Sequence, residues 1–129
     1  MTKPANITTA ERKARIERLR GEMEVAGVGA IVLGATSNLR YFTGISWHPS
    51  ERFTGAVITA DALVYVCPGF ERDKVQSLIT VSGDIRVWQE DENPYALIAD
   101  AAGEGKIALD DQVALFTYLG LRGAMGDGV

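Results

Sequence analysis

Gly55-Ala56-Val57-Ile58-Thr59-Ala60-Asp61-Ala62-Leu63-Val64-Tyr65-Val66-Cys67 is the stretch on which the fold turns. Two apolar runs, Gly55 to Thr59 and Ala62 to Cys67, flank the two-residue connection Ala60-Asp61. Short runs rich in Val, Ile and Tyr read as strands, and so short a link folds one back on the other as a β-hairpin. The sheet therefore contains an antiparallel pair.

Upstream, Ala30-Ile31-Val32-Leu33 is apolar throughout and β-branched, which reads as a buried strand. Before it, Ile16, Leu19, Met23 and Ala26 recur at helical spacing. Thr8 stands at the cap with Glu11 three residues on, the spacing of a capping box, and Gly27 stands where a left-handed stop is expected. Asn38 to Phe42 reads as a short helical or irregular piece, and Thr43 to Glu51 as an exposed loop. Downstream, Pro68-Gly69 ends the hairpin. A helix from about Phe70 to Ile79 follows, with Val75, Leu78 and Ile79 inward, and then the strand Ile85 to Trp88. Asn93-Pro94 opens a helix that stops near Gly103. Lys106 to Leu109 is a strand, and Asp110-Asp111 is expected to cap a last helix over about Gln112 to Ala124.

The order α-β-(α)-β-β-α-β-α-β-α predicts an α/β domain: a mixed sheet of about five or six strands with helices packed on it. At 129 residues the chain holds one core and needs no staple to fold. One cysteine, Cys67, permits no internal disulfide and fits a reducing, cytoplasmic setting. Met1 to Thr9 is polar, lacks the apolar core of a signal peptide and reads as a flexible tail; residues 10–129 form the domain. No apolar run is long enough to span a bilayer. A net charge of −4 argues against a nucleic-acid backbone binder. The local basic cluster Arg12, Lys13, Arg15, Arg18 and Arg20 reads as a solvated helix face. The glycine-rich end, Gly123 to Val129, suggests a chain cut inside a longer polypeptide.

Little chemistry can be assembled from these residue types. Metal centres draw on clustered His, Cys, Asp and Glu, and this chain has one histidine, His48, and one cysteine. Glu90-Asp91-Glu92 reads as a surface group. Cys67 at the end of an apolar strand reads as a small buried hydrophobe, and a Cys67–His48 dyad would lack an orienting third group. The serine elbow, the Walker lysine loop and the dinucleotide fingerprint are absent. The remaining candidate is the loop Ile45 to Arg52, which concentrates Trp47, His48 and Arg52. A guanidinium fork suits a carboxylate and an indole offers a stacking face. The alternative is that Trp47 packs down while His48 and Arg52 are merely solvated.

Asn38-Leu39-Arg40-Tyr41-Phe42-Thr43-Gly44 resembles the N-x-x-Y-[LF]-[TS]-G signature of the creatinase/prolidase N-terminal domain. The surrounding elements, from the Arg-rich helix to the Pro68-Gly69-Phe70-Glu71 turn, follow in the same order, so the resemblance covers about Ala10 to Gly123. It implies a ribonuclease H-like motif that precedes a pita-bread catalytic domain. There, two Asp, one His and two Glu hold two divalent metal ions (Mn, Co or Zn) in Xaa-Pro aminopeptidases and prolidases. It implies no catalytic residue and no metal in this chain. The implied role is oligomerisation, as a homodimer or homotetramer, and a contribution to the substrate-access rim of a neighbouring subunit's site, where proline-containing peptides bind. Arg52 matches the position from which creatinase contacts its substrate carboxylate; Trp47 and His48 lie in the corresponding loop. The family also holds creatinase-like C–N hydrolases of small solutes and non-enzymatic histone-chaperone subunits, so these remain alternatives. No membrane or nucleic-acid partner is implied.

Overall fold

In the computed structural model, residues 7–129 are described. Residues 1–6, most of the expected tail, lie outside them, and the first helix opens at Thr9. Five strands form one sheet: β1 (Ala30–Leu33), β2 (Gly55–Thr59), β3 (Leu63–Pro68), β4 (Asp84–Trp88) and β5 (Ile107–Leu109). Their spatial order is β4-β3-β2-β1-β5. β2 is antiparallel to β1 and β3, whereas β3–β4 and β1–β5 are parallel, so β2 alone runs against the other four.

Both faces of the sheet are covered, which is why its central strands β1 to β3 are apolar almost throughout, Thr59 at the end of β2 excepted. Leu63, Tyr65 and Cys67 of β3 face one core with Ile16 and Met23 of α1 (Thr9–Ala26), Leu39 of α2 (Ser37–Thr43) and Val75 of α3 (Arg72–Leu78). Val64 and Val66 face the other, with Ile98 and Ala102 of α4 (Pro94–Ala102) and Leu121 of α5 (Leu115–Met125). The period of two along β3 thus sorts its side chains between two helical layers. Val75 is the buried residue of α3, which begins only at Arg72 after a single 3₁₀ turn, Gly69–Glu71. Leu78, expected inward, is exposed: the helix ends there, and half-buried Ile79, already in extended backbone, packs on the core instead.

Local signals set most helix ends. Thr8 Oγ1 accepts from Glu11 N, Gly27 closes α1 in the left-handed region, and Asn93 Oδ1 accepts from Tyr95 N. The return half of the capping box is not made: the Glu11 carboxylate faces Arg15 and Arg18 instead. The hairpin turn carries no positive φ at Ala60 or Asp61, so it is not one of the primed turns. Thr59 Oγ1 takes the Ala62 N–H, and Arg20 of α1 bonds both turn carbonyls, Nε to Thr59 O at 2.8 Å and an Nη to Ala62 O at 3.0 Å. Arg20 is therefore a staple between helix and hairpin, not part of a solvated face.

Asp110-Asp111 does not cap α5, which starts later, at Leu115, behind Ala114 and without a side-chain cap. β5 ends beside β1, and Asp110 N extends that ladder to Val32 O at 2.8 Å. This delivers the Asp110 side chain, only 5% exposed, under the loop that leaves β1. Its carboxylate accepts from Gly34 N (3.2 Å), Thr36 Oγ1, Asn38 Nδ2 (2.8 Å) and Gln112 N (2.9 Å). A buried charge is tolerated only when its lone pairs are used, and here they are.

Two stability predictions follow from these buried groups. Asp110→Asn turns an amide donor toward groups that already donate, so urea unfolding should show a loss of about 2–4 kcal/mol. A loss within experimental error would show that the carboxylate does not organise the fold. The Cys67 thiol is fully buried, and burial, with the Glu71 charge adding, pushes its pKa from 9.0 up to about 11. The folded state then holds the proton more tightly than the unfolded chain. The thiol's contribution is complete below about pH 9 and is lost as pH rises through about 11, up to about 2–3 kcal/mol. Unfolding free energies measured from pH 8 to 11 should fall less steeply for Cys67→Ala than for the unsubstituted chain.

Candidate functional site

The signature segment is a short, fully capped helix. Thr36 Oγ1 accepts from Asn38 N at 3.2 Å while its hydroxyl donates to Asp110, so one side chain caps α2 and ties it to the end of β5. Asn38 Nδ2 bonds Asp110 Oδ1 and also Asp111 Oδ1 at 3.0 Å. At the other end the buried Thr43 hydroxyl donates to Leu39 O and accepts from Ile45 N. Gly44 then reverses the chain at φ +86°. A side chain there would be strained by that backbone and would meet the Arg12 guanidinium, about 2.7 Å from where its Cβ would stand. Tyr41 projects outward with the Arg15 guanidinium 4.1 Å from its ring centre.

Gly44 launches the candidate loop, which is pinned at both ends. Ile45 is buried at its start, and Phe53 at its finish receives the buried Trp88 Nε1–H on its carbonyl at 3.1 Å. Between these anchors stand Trp47, His48 and Arg52. Trp47 is half-buried against the α1–α3 core, with Lys74 Nζ 5.0 Å above its ring. His48 is exposed. Arg52 has its backbone held by Ser50 Oγ at 3.1 Å and its guanidinium paired in fork geometry with Glu90: Nε to Oε1 at 2.8 Å and an Nη to Oε2 at 3.3 Å. Glu90, by hydrogen bond and charge, raises the already high Arg52 pKa. The guanidinium also lies 5.7 Å from the ring centre of Phe70, an exposed aromatic.

The three residues do not converge on one pocket. Arg52 lines a concavity of about 410 Å³ with Phe53, Val113 and Phe116, whereas Trp47 and His48 line a neighbouring one of about 360 Å³ with Arg40. The two share a wall at Ala35 and Thr36, the segment tied down by Asp110. Glu90 and Phe70, the groups nearest the Arg52 guanidinium, were not marked by the sequence. Each sits in a separate segment, after β4 and after β3, and only the sheet brings them to Arg52.

Among the described residues no group of three His, Cys, Asp or Glu could hold a metal ion. Asp110 spends its oxygens on four donors, and Cys67 is a protonated core thiol while His48 is exposed, so they form no dyad. The donor set does not fit a resident metal. Among the described residues no helix is long and apolar enough to cross a membrane.

Comparison with known proteins agrees with this architecture. The family model for the creatinase/prolidase N-terminal domain matches residues 15–128. An uncharacterized peptidase of Schizosaccharomyces pombe is 29% identical over 91% of this chain, which spans 29% of that protein's length. The dipeptidase PepE of Mycobacterium ulcerans superposes with a TM-score of 0.84 at 25% identity, over 95% of this chain and 34% of that one. The N-terminal domain of an X-Pro dipeptidase from Streptococcus pyogenes gives 0.73 at 20% identity, covering 87% of this chain and 88% of that domain. The single mixed sheet between two helical layers, the capped signature helix and the match along nearly the whole sequence agree: this chain belongs to the creatinase/prolidase N-terminal domain family.

Proposed function

We propose that this chain is the non-catalytic N-terminal domain of a metal-dependent Xaa-Pro dipeptidase or aminopeptidase. In that role it promotes oligomerisation and forms part of the substrate-access rim of a neighbouring subunit's active site. The observation that carries the reading is the likeness to the mycobacterial dipeptidase, in which a domain of this shape occupies about a third of the chain. The metal ions, two of Mn, Co or Zn, belong to a separate catalytic domain. In this chain the loop from Ile45 to Arg52 meets the substrate. Arg52 receives a peptide carboxylate on its guanidinium fork, while Trp47 and His48 border the adjoining concavity. A reducing cytoplasm suits the single free thiol.

In the full-length peptidase, Arg52→Ala should raise KM for short Xaa-Pro peptides about tenfold, the scale of one charged hydrogen bond, with metal content intact. Unchanged kinetics would remove Arg52 from the site. The 129-residue chain alone should cleave no Xaa-Pro peptide with added manganese, cobalt or zinc. Turnover by the pure chain would overturn the non-catalytic assignment.

A further inference from the structure

We infer that Glu90 is a resident stand-in for a ligand on Arg52: its carboxylate occupies the place a ligand carboxylate takes, and an incoming substrate must exchange with it. The inference rests on Arg52 acting as a carboxylate receptor, as proposed above. The geometry is that of a guanidinium fork already filled, with Nε–Oε1 at 2.8 Å and Nη–Oε2 at 3.3 Å, the paired contact a free carboxylate would make.

The pair is not a chance meeting of two long surface side chains. Trp88, two residues before Glu90, bonds the carbonyl of Phe53, the residue after Arg52, and this bond is buried. The two backbones are thus clamped side by side. The place is set by topology. Because β2 runs against its neighbours, its N-terminal end lies at the carboxyl ends of β3 and β4, where Gly55 pairs with Val66 and Pro68 with Trp88. Arg52, Phe70 and Glu90 all gather at that end, the end where open α/β sheets tend to receive ligands.

The pair is also exchangeable. The Arg52 and Glu90 side chains are 48% and 64% exposed, so water and a competing carboxylate reach both. An exposed pair of this kind is easily replaced. Glu90 keeps the fork extended over Phe70 and prevents the unfilled cation from seeking another acid. Phe70, 65% exposed, offers an apolar face beside the carboxylate. The ligand class that fits is a small peptide acid with a hydrophobic ring or chain next to its carboxylate.

The test is steady-state kinetics of the full-length peptidase with an Xaa-Pro dipeptide and with its C-terminal amide. Glu90→Gln removes the competing charge, so KM for the free acid should fall about two- to fivefold, the change lying in KM and not in kcat. The amide should respond little, Glu90→Asp should restore the original KM, and Arg52→Ala/Glu90→Gln should behave like Arg52→Ala. If Arg52→Ala raises KM but Glu90→Gln leaves it unchanged, the role of Glu90 is overturned and the Arg52 reading stands. If Glu90→Gln shifts acid and amide equally with a lowered Tm, Glu90 is merely structural and the inference fails. If Arg52→Ala itself has no effect, the reading beneath falls, and this inference with it.

Discussion

The buried carboxylate of Asp110 is the point from which helix α2 and the candidate loop are hung. It is carried to the edge of the core by the parallel pairing of β5 with β1, and an ion in that place must find donors. It finds them in Gly34, Thr36 and Asn38, so the chain leaving β1 is fastened before it begins to turn. Thr36 passes the constraint on by capping α2 with the same oxygen. Helix α2 in turn ends at Gly44, and Gly44 aims the loop that bears Trp47, His48 and Arg52. The course of that loop is thus fixed by electrostatics some distance away, and Asn38 of the family signature is one of the donors.

The hairpin, the buried first strand and the ends of α1 and α4 were legible in the sequence, because each is specified by neighbours within a few residues. Thr8, Gly27 and Asn93-Pro94 act through their own turn of backbone, and the apolar runs of β1 to β3 admit few other readings. What could not be read was carried by partners far along the chain. Asp110 looked like a helix cap because a carboxylate before a helix usually is one; three of its four donors lie 72 to 76 residues earlier. Arg20 looked solvated among other cations, yet it reaches a turn 39 to 42 residues away. Arg52 was singled out, but Glu90, 38 residues on, passed for one acid in a surface run.

The same contrast explains why a domain can keep its outline at low identity. At 25% identity to the mycobacterial dipeptidase the backbones still superpose closely. Many apolar residues can fill a sheet covered on both faces, provided pattern and volume are kept. Substitution is narrower where backbones nearly touch. At Gly55 a Cβ would stand 1.9 Å from the carbonyl oxygen of Leu33, so only glycine lets β2 lie against β1 at the point where the candidate loop rejoins the sheet.

The two outermost strands bear on how this domain meets other chains. β5 is only three residues long, and β4 carries an exposed Asp84 and the Arg86 that pairs with Asp100 at 2.9 Å. A brief edge and a charged edge are poor templates for a further strand. The domain is therefore guarded against lengthening its sheet by indiscriminate backbone pairing with a stranger. Partners that recognise it must instead read its side chains, which leaves selectivity to helices and loops and not to the sheet.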